Sequence, residues 1–564
     1  MKTDLIILFS FYSVSIISTF GYGSYLQKII NIPSNKRCLG YSLLIGFFFL
    51  TIYSYFSNFF YEHNIYHNLI ILILGLYLFY LINPKKLFQK KNFKILVFLF
   101  LLLFISFLIF KSHDDFPYYH FPYTYYLTQS SSFVGIGQFN HGFRTPSSLF
   151  YFNSLFYLPV IKFHLFHIGS AIIYGSAIYI LFSNIIESIK KKDINYFYYY
   201  NLLALIFILV FFYRLAEHGT DRSAQILILL IITEIFKIFI SKKISNYEVS
   251  IISILFAITI SLKAFYFLYG LLLLPLLVIV SKTIGFLNLM NKILSNRTFY
   301  FSLLLLAFVL ITNFLNTGCL IYPLVNSCFT NFDWSIQPRE IELMKLHYEG
   351  WSKAGKTPNF VVNDLSYYVN DFNWVNNWIN KYFLFKVSDF LLGLITLIII
   401  FFATFQSKKK VMKNFKKEII YLYFTIIILL IEWFVNHPAL RYGGYSLIAA
   451  SFFIPFSLVL EKYKNQMKLI KKKTFIIILI AATIFGLRNF DRIIDENKKY
   501  NYNVFLNPYY DINATYFRIE KKIDNIIKNY ENCLKDKNEC DKNDEYFIKK
   551  KMGKYIFVRK KDKF

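Results

Sequence analysis

Apolar runs long enough to cross a bilayer recur from one end of this chain to the other. They lie at 4–20, 41–60, 68–83, 94–110, 167–185, 199–213, 224–240, 249–260, 264–281, 299–314, 389–405, 418–435, 444–460 and 474–487. In hydrocarbon every backbone N–H and C=O must be satisfied within the segment, so such runs fold as helices. The expected fold class is an all-α polytopic membrane protein with about 14 transmembrane helices. The pair 249–260 and 264–281 is separated only by Ser261, Leu262 and Lys263, and Pro275 is placed to kink the second. A hydrophobic fraction of 56% is more than a soluble globule of 564 residues can hide.

The formal net charge of +29 has two plain causes. Lysines flank membrane helices on the cytoplasmic side, and the heavy use of Lys, Asn, Ile, Phe and Tyr is a compositional bias. No basic stripe is interleaved with a folded reader module, so no nucleic acid is expected as a partner. Of the 62 basic residues only 11 are arginine. An arginine at a helix end therefore marks a place that needs the planar guanidinium fork, which grips phosphate or carboxylate.

The loops at 21–40, 84–93, 186–198, 241–248, 282–298, 406–417 and 461–473 carry most of the loop lysines, among them Lys85, Lys86, Lys408, Lys409 and Lys410. The positive-inside rule makes these cytoplasmic and puts the alternate loops and both termini outside. The first run has no small-residue cleavage site after it and reads as a retained helix. In this arrangement all 10 histidines fall outside or at outer helix ends. Cys319 and Cys328 share one outer loop and Cys533 and Cys540 share the C-terminal tail, so both pairs are disulfide candidates. Cys38 stands alone on the other side.

The chain divides into N-terminal helices at 1–93, a transmembrane core at 94–487 with outer loops 111–166 and 315–388, and a small α+β tail at 488–564. In the tail, Tyr516–Tyr530 has helical spacing, and Glu545–Ile548 and Lys554–Val558 around Gly553 read as a hairpin. The tail has too little apolar sequence for a core of its own and is expected to dock on the outer loops.

Ionisable residues cluster at the outer helix ends. The sharpest cluster is His113-Asp114-Asp115, with His120 nearby, directly after the run 94–110. Adjacent carboxylates repel unless a proton or cation is shared. They suit a general base for an acceptor hydroxyl, and are also candidate ligands for a divalent metal such as Mg or Mn. The plain alternative is a pair that caps the next helix. His141 and Arg144 stand late in the same loop, where Arg144 can hold phosphate or snorkel at the interface. Arg214, Glu217, His218, Asp221 and Arg222 crowd one short connector, as a binding cluster or a self-neutralising one. Lys263 breaks an apolar stretch, and His437, Arg441 and Tyr442 precede Gly443 and Gly444 at another helix end. Asn316 to Pro323 reads as architecture. His63 and His67 have the spacing of a helical metal pair but no carboxylate beside them.

Together these clusters resemble the GT-C superfamily of integral-membrane glycosyltransferases, which use polyprenyl-phosphate-linked sugars. Asp114-Asp115 looks like the family's acidic motif in the first large outer loop. His141 and Arg144 resemble its residues where that loop re-enters the membrane. Arg222, Lys263 and Arg441 match its basic residues for the lipid phosphate. Three spans precede the one leading into the acidic loop, which is a departure from much of the family. The resemblance implies a sugar donor on polyprenyl phosphate, a glycan, lipid or protein acceptor, contact with membrane lipids, and an inverting transfer with Asp114 or Asp115 as base. It also implies a multi-pass protein of the bacterial inner membrane with its site facing the periplasm or outside, in an uncharacterised bacterial branch. The rival readings are a surface-polysaccharide polymerase or ligase, a transporter or lipid flippase, and an assembly factor without activity.

Overall fold

The computed structural model describes residues 2–30, 38–83, 91–109, 113–242, 244–357, 360–410, 417–500, 503–509, 521–535, 546–551 and 554–559. The chain is mostly helix, with two small antiparallel hairpins. Each of the fourteen apolar runs falls on helix. Among the described residues, 10 helices are long and apolar enough to cross a membrane. Three more, Ile65–Leu81, Tyr196–Phe211 and Asn246–Leu262, are apolar but shorter. At 17, 16 and 17 residues they fall below the roughly 20 that a straight crossing needs. The last run lies within the 34-residue helix Met467–Tyr500, which carries charged turns at both ends.

The first helices pack through small residues. Lipid tails are as apolar as leucine, so helices associate there by close backbone approach and hydrogen bonds. A Cβ on Gly46 would collide with the Thr19 carbonyl oxygen, and one on Gly23 with that of Ser42. Hydroxyls complete the contact. Ser18 Oγ donates to the Leu72 carbonyl at 3.1 Å and Tyr12 Oη to that of Phe100 at 2.9 Å. His63 and His67, the helical pair, are committed to the same seam. His63 is buried between Ser57 and Ser154, and His67 bonds Tyr53 and Asn68.

The core is one continuous cluster running through Leu39–Asn58, Ile168–Lys191, Tyr196–Phe211 and Asp221–Ser241. The long loops gather at one end of this bundle and the lysine-rich connectors contact one another at the other. At the lysine-rich end the Lys464 N–H donates to the Lys409 carbonyl at 2.9 Å, and Lys292 Nζ to that of Ile244 at 3.0 Å. At the long-loop end Cys319 and Cys328 form a disulfide beside buried Tyr322, Ile336 and Ile341. Cys533 is also disulfide-bonded, whereas Cys540 lies outside the described residues. The tail forms the helix Lys521–Lys535 and the hairpin Tyr546–Lys551 with Lys554–Arg559. Residues 516–520 and 545 of the expected elements lie outside the described residues. The hairpin docks on the first long loop. The Phe557 N–H donates to the Val134 carbonyl at 2.9 Å, and the Phe557 ring meets Phe133 and Phe139.

A Gly46→Val change should lower the thermal midpoint in detergent sharply, since overpacking costs about 1–3 kcal/mol or more. Gly270→Ala should leave the midpoint unchanged, because a Cβ there meets nothing within 4 Å.

Candidate functional site

The acidic pair sits where the chain turns into the segment Phe116–His120, with Pro117 at its start, and then the helix Phe121–Gln129. The two carboxylates are not equivalent: Asp114 is exposed and Asp115 is half-buried. The Asp115 backbone N–H donates to His113 Nδ1 at 3.0 Å, which locks the turn. The Asp115 carboxylate lies 3.5 Å from His113 Nδ1, 3.5 Å from the Arg441 guanidinium, and 3.5 Å from the Tyr119 hydroxyl that donates to it. Burial raises the Asp115 carboxyl. The charges of His113 and Arg441, with Lys263 behind them, more than offset this and hold it below the usual carboxylate range.

Arg441 comes from the turn after the helix Lys417–Asn436. Its Nη2 donates to the Tyr442 hydroxyl at 2.8 Å, and the guanidinium lies 4.8 Å from the centre of that ring. Its buried Nε has no hydrogen-bond partner. The turn is held from four sides. Gln225, fully buried in Asp221–Ser241, donates to the Arg441 carbonyl at 2.9 Å and accepts from the Ser446 N–H at 3.0 Å. Trp378 donates to the Pro438 carbonyl at 2.9 Å and Trp433 to that of Ala439 at 3.0 Å. Tyr382 Oη accepts from the Leu440 N–H at 2.9 Å. Gly443, with φ of 98°, ends the turn where a Cβ would strike the Tyr269 hydroxyl.

Lys263 is the extended residue between Asn246–Leu262 and the segment Ala264–Leu272. Its ammonium is 2.5 Å from Asp221 Oδ1 and 4.4 Å from the centre of the Tyr442 ring. Asp221 opens the helix Asp221–Ser241, where the positive end of the helix dipole favours a carboxylate. Arg222 follows it, half-buried, facing His218 and Tyr445, with no carboxylate partner among the described residues. The His437 ring lies against Phe265 and Tyr442. Asp115, Asp221, Lys263, Arg441 and Tyr442 thus form one cluster, with Tyr119, His113 and His437 at its edge. His120 is buried beside Gly219, on the wall of a recess shared with His113 and His167, and its Nε2 has no partner.

Other residues singled out in the sequence take different places. Arg144 is 4% exposed and committed. It donates to the Gly137 carbonyl at 3.0 Å, to the Tyr322 hydroxyl at 2.6 Å, and to Glu340. It is a pin between the two long loops and does not snorkel. His141, next to it, contacts Tyr118, His347 and Tyr348. Arg214 and Glu217 form a chain that leads away from Asp115. Glu217 binds Arg214 at 3.4 Å and Arg492 at 2.8 Å, and Arg492 continues to Glu496 at 3.3 Å. His218 is buried with Nε2 against the Phe212 carbonyl at 2.7 Å. Gln225, Tyr119 and Lys353 are structural or site residues that local pattern did not mark. Lys353 is 3% exposed and is held by Glu349 at 2.6 Å and the Val369 carbonyl at 3.0 Å.

Arg441 and Lys263 supply positive charge beside the carboxylates, and no group of three or more His, Cys, Asp or Glu that could hold a metal ion occurs among the described residues.

Burial pushes His120 and His218 down to about 3 and His437 to about 4, from an ordinary 6.5. The unfolded chain takes up these protons as pH falls through 6.5, whereas the folded chain does not. The folded state is therefore most favoured above that pH and loses stability progressively toward pH 4. The thermal midpoint in detergent should fall between pH 7 and pH 5, and a flat profile would contradict the burial of these rings. Gln225→Leu should cost about 1–3 kcal/mol, because it strands a buried carbonyl and N–H.

A sequence profile of DUF8201, described as a domain of unknown function, matches residues 5–449. No curated protein and no solved structure matches the chain. The matched stretch starts within the first helix and contains Asp115, Asp221, Gln225, Lys263 and Arg441. The chain belongs to the DUF8201 family.

Proposed function

We propose that this protein is a GT-C-like membrane glycosyltransferase that moves a sugar from a polyprenyl-phosphate donor to an acceptor hydroxyl. One observation carries the reading: an ionised, half-buried Asp115 stands in one cluster with Arg441, Lys263 and Asp221 at an end of the bundle. The lysine-rich connectors at the opposite end favour placing the cluster on the non-cytoplasmic side of the inner membrane.

In this mechanism the Asp115 carboxylate accepts the acceptor hydroxyl proton as the oxygen attacks the anomeric carbon. The bond from that carbon to the phosphate oxygen breaks, and polyprenyl phosphate leaves with the electron pair. A single displacement inverts the anomeric centre. Arg441 and Lys263 meet the charge developing on the leaving phosphate.

A transporter or flippase is less well supported, because it needs ionisable groups along a passage. Glu234, a carboxylate buried within a span, is already satisfied by the Tyr41 hydroxyl at 2.7 Å and by Lys237 at 3.5 Å. A surface-polysaccharide polymerase or ligase shares the donor class and is separated from this reading by its smaller need for a carboxylate base.

Asp115→Asn should reduce sugar transfer in reconstituted membranes by about 10²–10⁴-fold, the range expected for loss of a general base. Asp114→Asn should keep most activity. Full activity in Asp115→Asn at equal protein level would rule the mechanism out.

A further inference from the structure

The helix Pro338–Ser352 presents His347, Tyr348 and Trp351 on one face, at the spacing that stacks side chains along a helix. This face points toward the base. Tyr119 donates to Asp115, and its ring is 6.0 Å from that of Tyr118. Tyr118 lies 5.3 Å from His141 and bonds its Nδ1 at 3.3 Å. His141 is 6.1 Å from His347 and 6.4 Å from Tyr348. His347 then stacks on Trp351 at 6.3 Å, with 20° between the ring planes. All of these rings, Tyr119 included, are half-buried.

What holds the shelf is independent of what it offers. The helix is anchored by buried Ile341 and by the Cys319–Cys328 loop. The Arg144–Glu340 pair then fastens its first turn to the loop that carries His141.

A group of neighbouring aromatic rings, edged by hydroxyls and imidazoles, matches the chemistry of a pyranose. Its axial C–H groups pack on aromatic faces while its hydroxyls hydrogen-bond at the edge. Burial lowers His141 and brings His347 to about 4, so both imidazoles are neutral at physiological pH and suit an uncharged partner.

We propose that Tyr118, His141, His347 and Trp351 form an acceptor subsite for a saccharide chain, which would make the acceptor a glycan. This rests on the proposed transferase function and names its acceptor class.

The test is saturation-transfer-difference NMR on the full-length protein in detergent. The probe is the pool of neutral oligosaccharides released by mild acid from the host cell envelope. The wild type should show transfer to the sugar protons. Trp351→Ala should lose it by about tenfold, Trp351→Phe should keep most of it, and both should retain the wild-type thermal midpoint. If Trp351→Ala lowers that midpoint, His347→Ala is read in its place, with the same loss expected. Asp115→Asn should still bind the pool, so failure of the catalytic reading leaves this result intact. No transfer to the wild type overturns the proposal, as does equal transfer to wild type and Trp351→Ala.

Discussion

Gln225 is the residue on which the geometry of the cluster depends. It is fully buried in an otherwise apolar helix, and it uses both ends of its amide on one turn of another helix pair. The helix that carries it begins at Asp221, the partner of Lys263. The turn it holds carries Arg441, the partner of Asp115. One amide therefore fixes the spacing between two ion pairs from four distant parts of the chain. In a hydrocarbon surround, that backbone carbonyl and N–H have no water to fall back on. The ion pairs alone do not provide such rigidity. At 28% and 36% side-chain exposure, the Asp115–Arg441 contact at 3.5 Å is partly screened. It is one of the contacts that lower the Asp115 carboxyl, with His113 and Lys263, and the packed turn sets its position.

The second long loop completes the same end of the bundle. Trp378 and Tyr382 clamp the backbone of the Arg441 turn from one side. Arg144, Tyr322 and Glu340 tie that loop to the one bearing the acidic pair. The tail adds a third layer through Phe557 and Lys554, the latter donating to Ser132 at 2.7 Å. The carboxylate is thus reached between ordered surfaces.

The sequence disclosed the helices well because apolar length is a local property. It also disclosed Asp115, Asp221, Lys263 and Arg441, because a charged residue at the mouth of a membrane helix stands out against its surroundings. Between Asp114 and Asp115 it gave no choice. Only the fold shows that one is exposed and the other enclosed. Pairings across long separations were not legible. Arg144 reads as a snorkelling or phosphate-binding residue until Glu340, 196 residues away, is seen against it. Arg214 and Glu217 read as part of a binding cluster until Arg492, 275 residues beyond Glu217, claims the carboxylate. Gln225 and Tyr119 carried no signal at all, since a polar residue in an apolar run acquires meaning only from its partner. Span number is the part of the fold that composition leaves open: three apolar helices of 16–17 residues have the composition of a span at the short end of its length.

The central claim is that Asp115 works as an ionised base whose carboxyl is held low by its charged neighbours, Arg441 among them. The most direct measurement is the pH dependence of the transfer rate in wild type and Arg441→Gln. Cationic neighbours hold the Asp115 carboxyl below its usual range, so the wild-type rate should persist as pH falls and drop only below that range. Removing the guanidinium takes away one of the neighbours that offset burial, with His113 and Lys263 remaining, and the acid limb should move to higher pH. An acid limb that stays in place in Arg441→Gln would contradict the account.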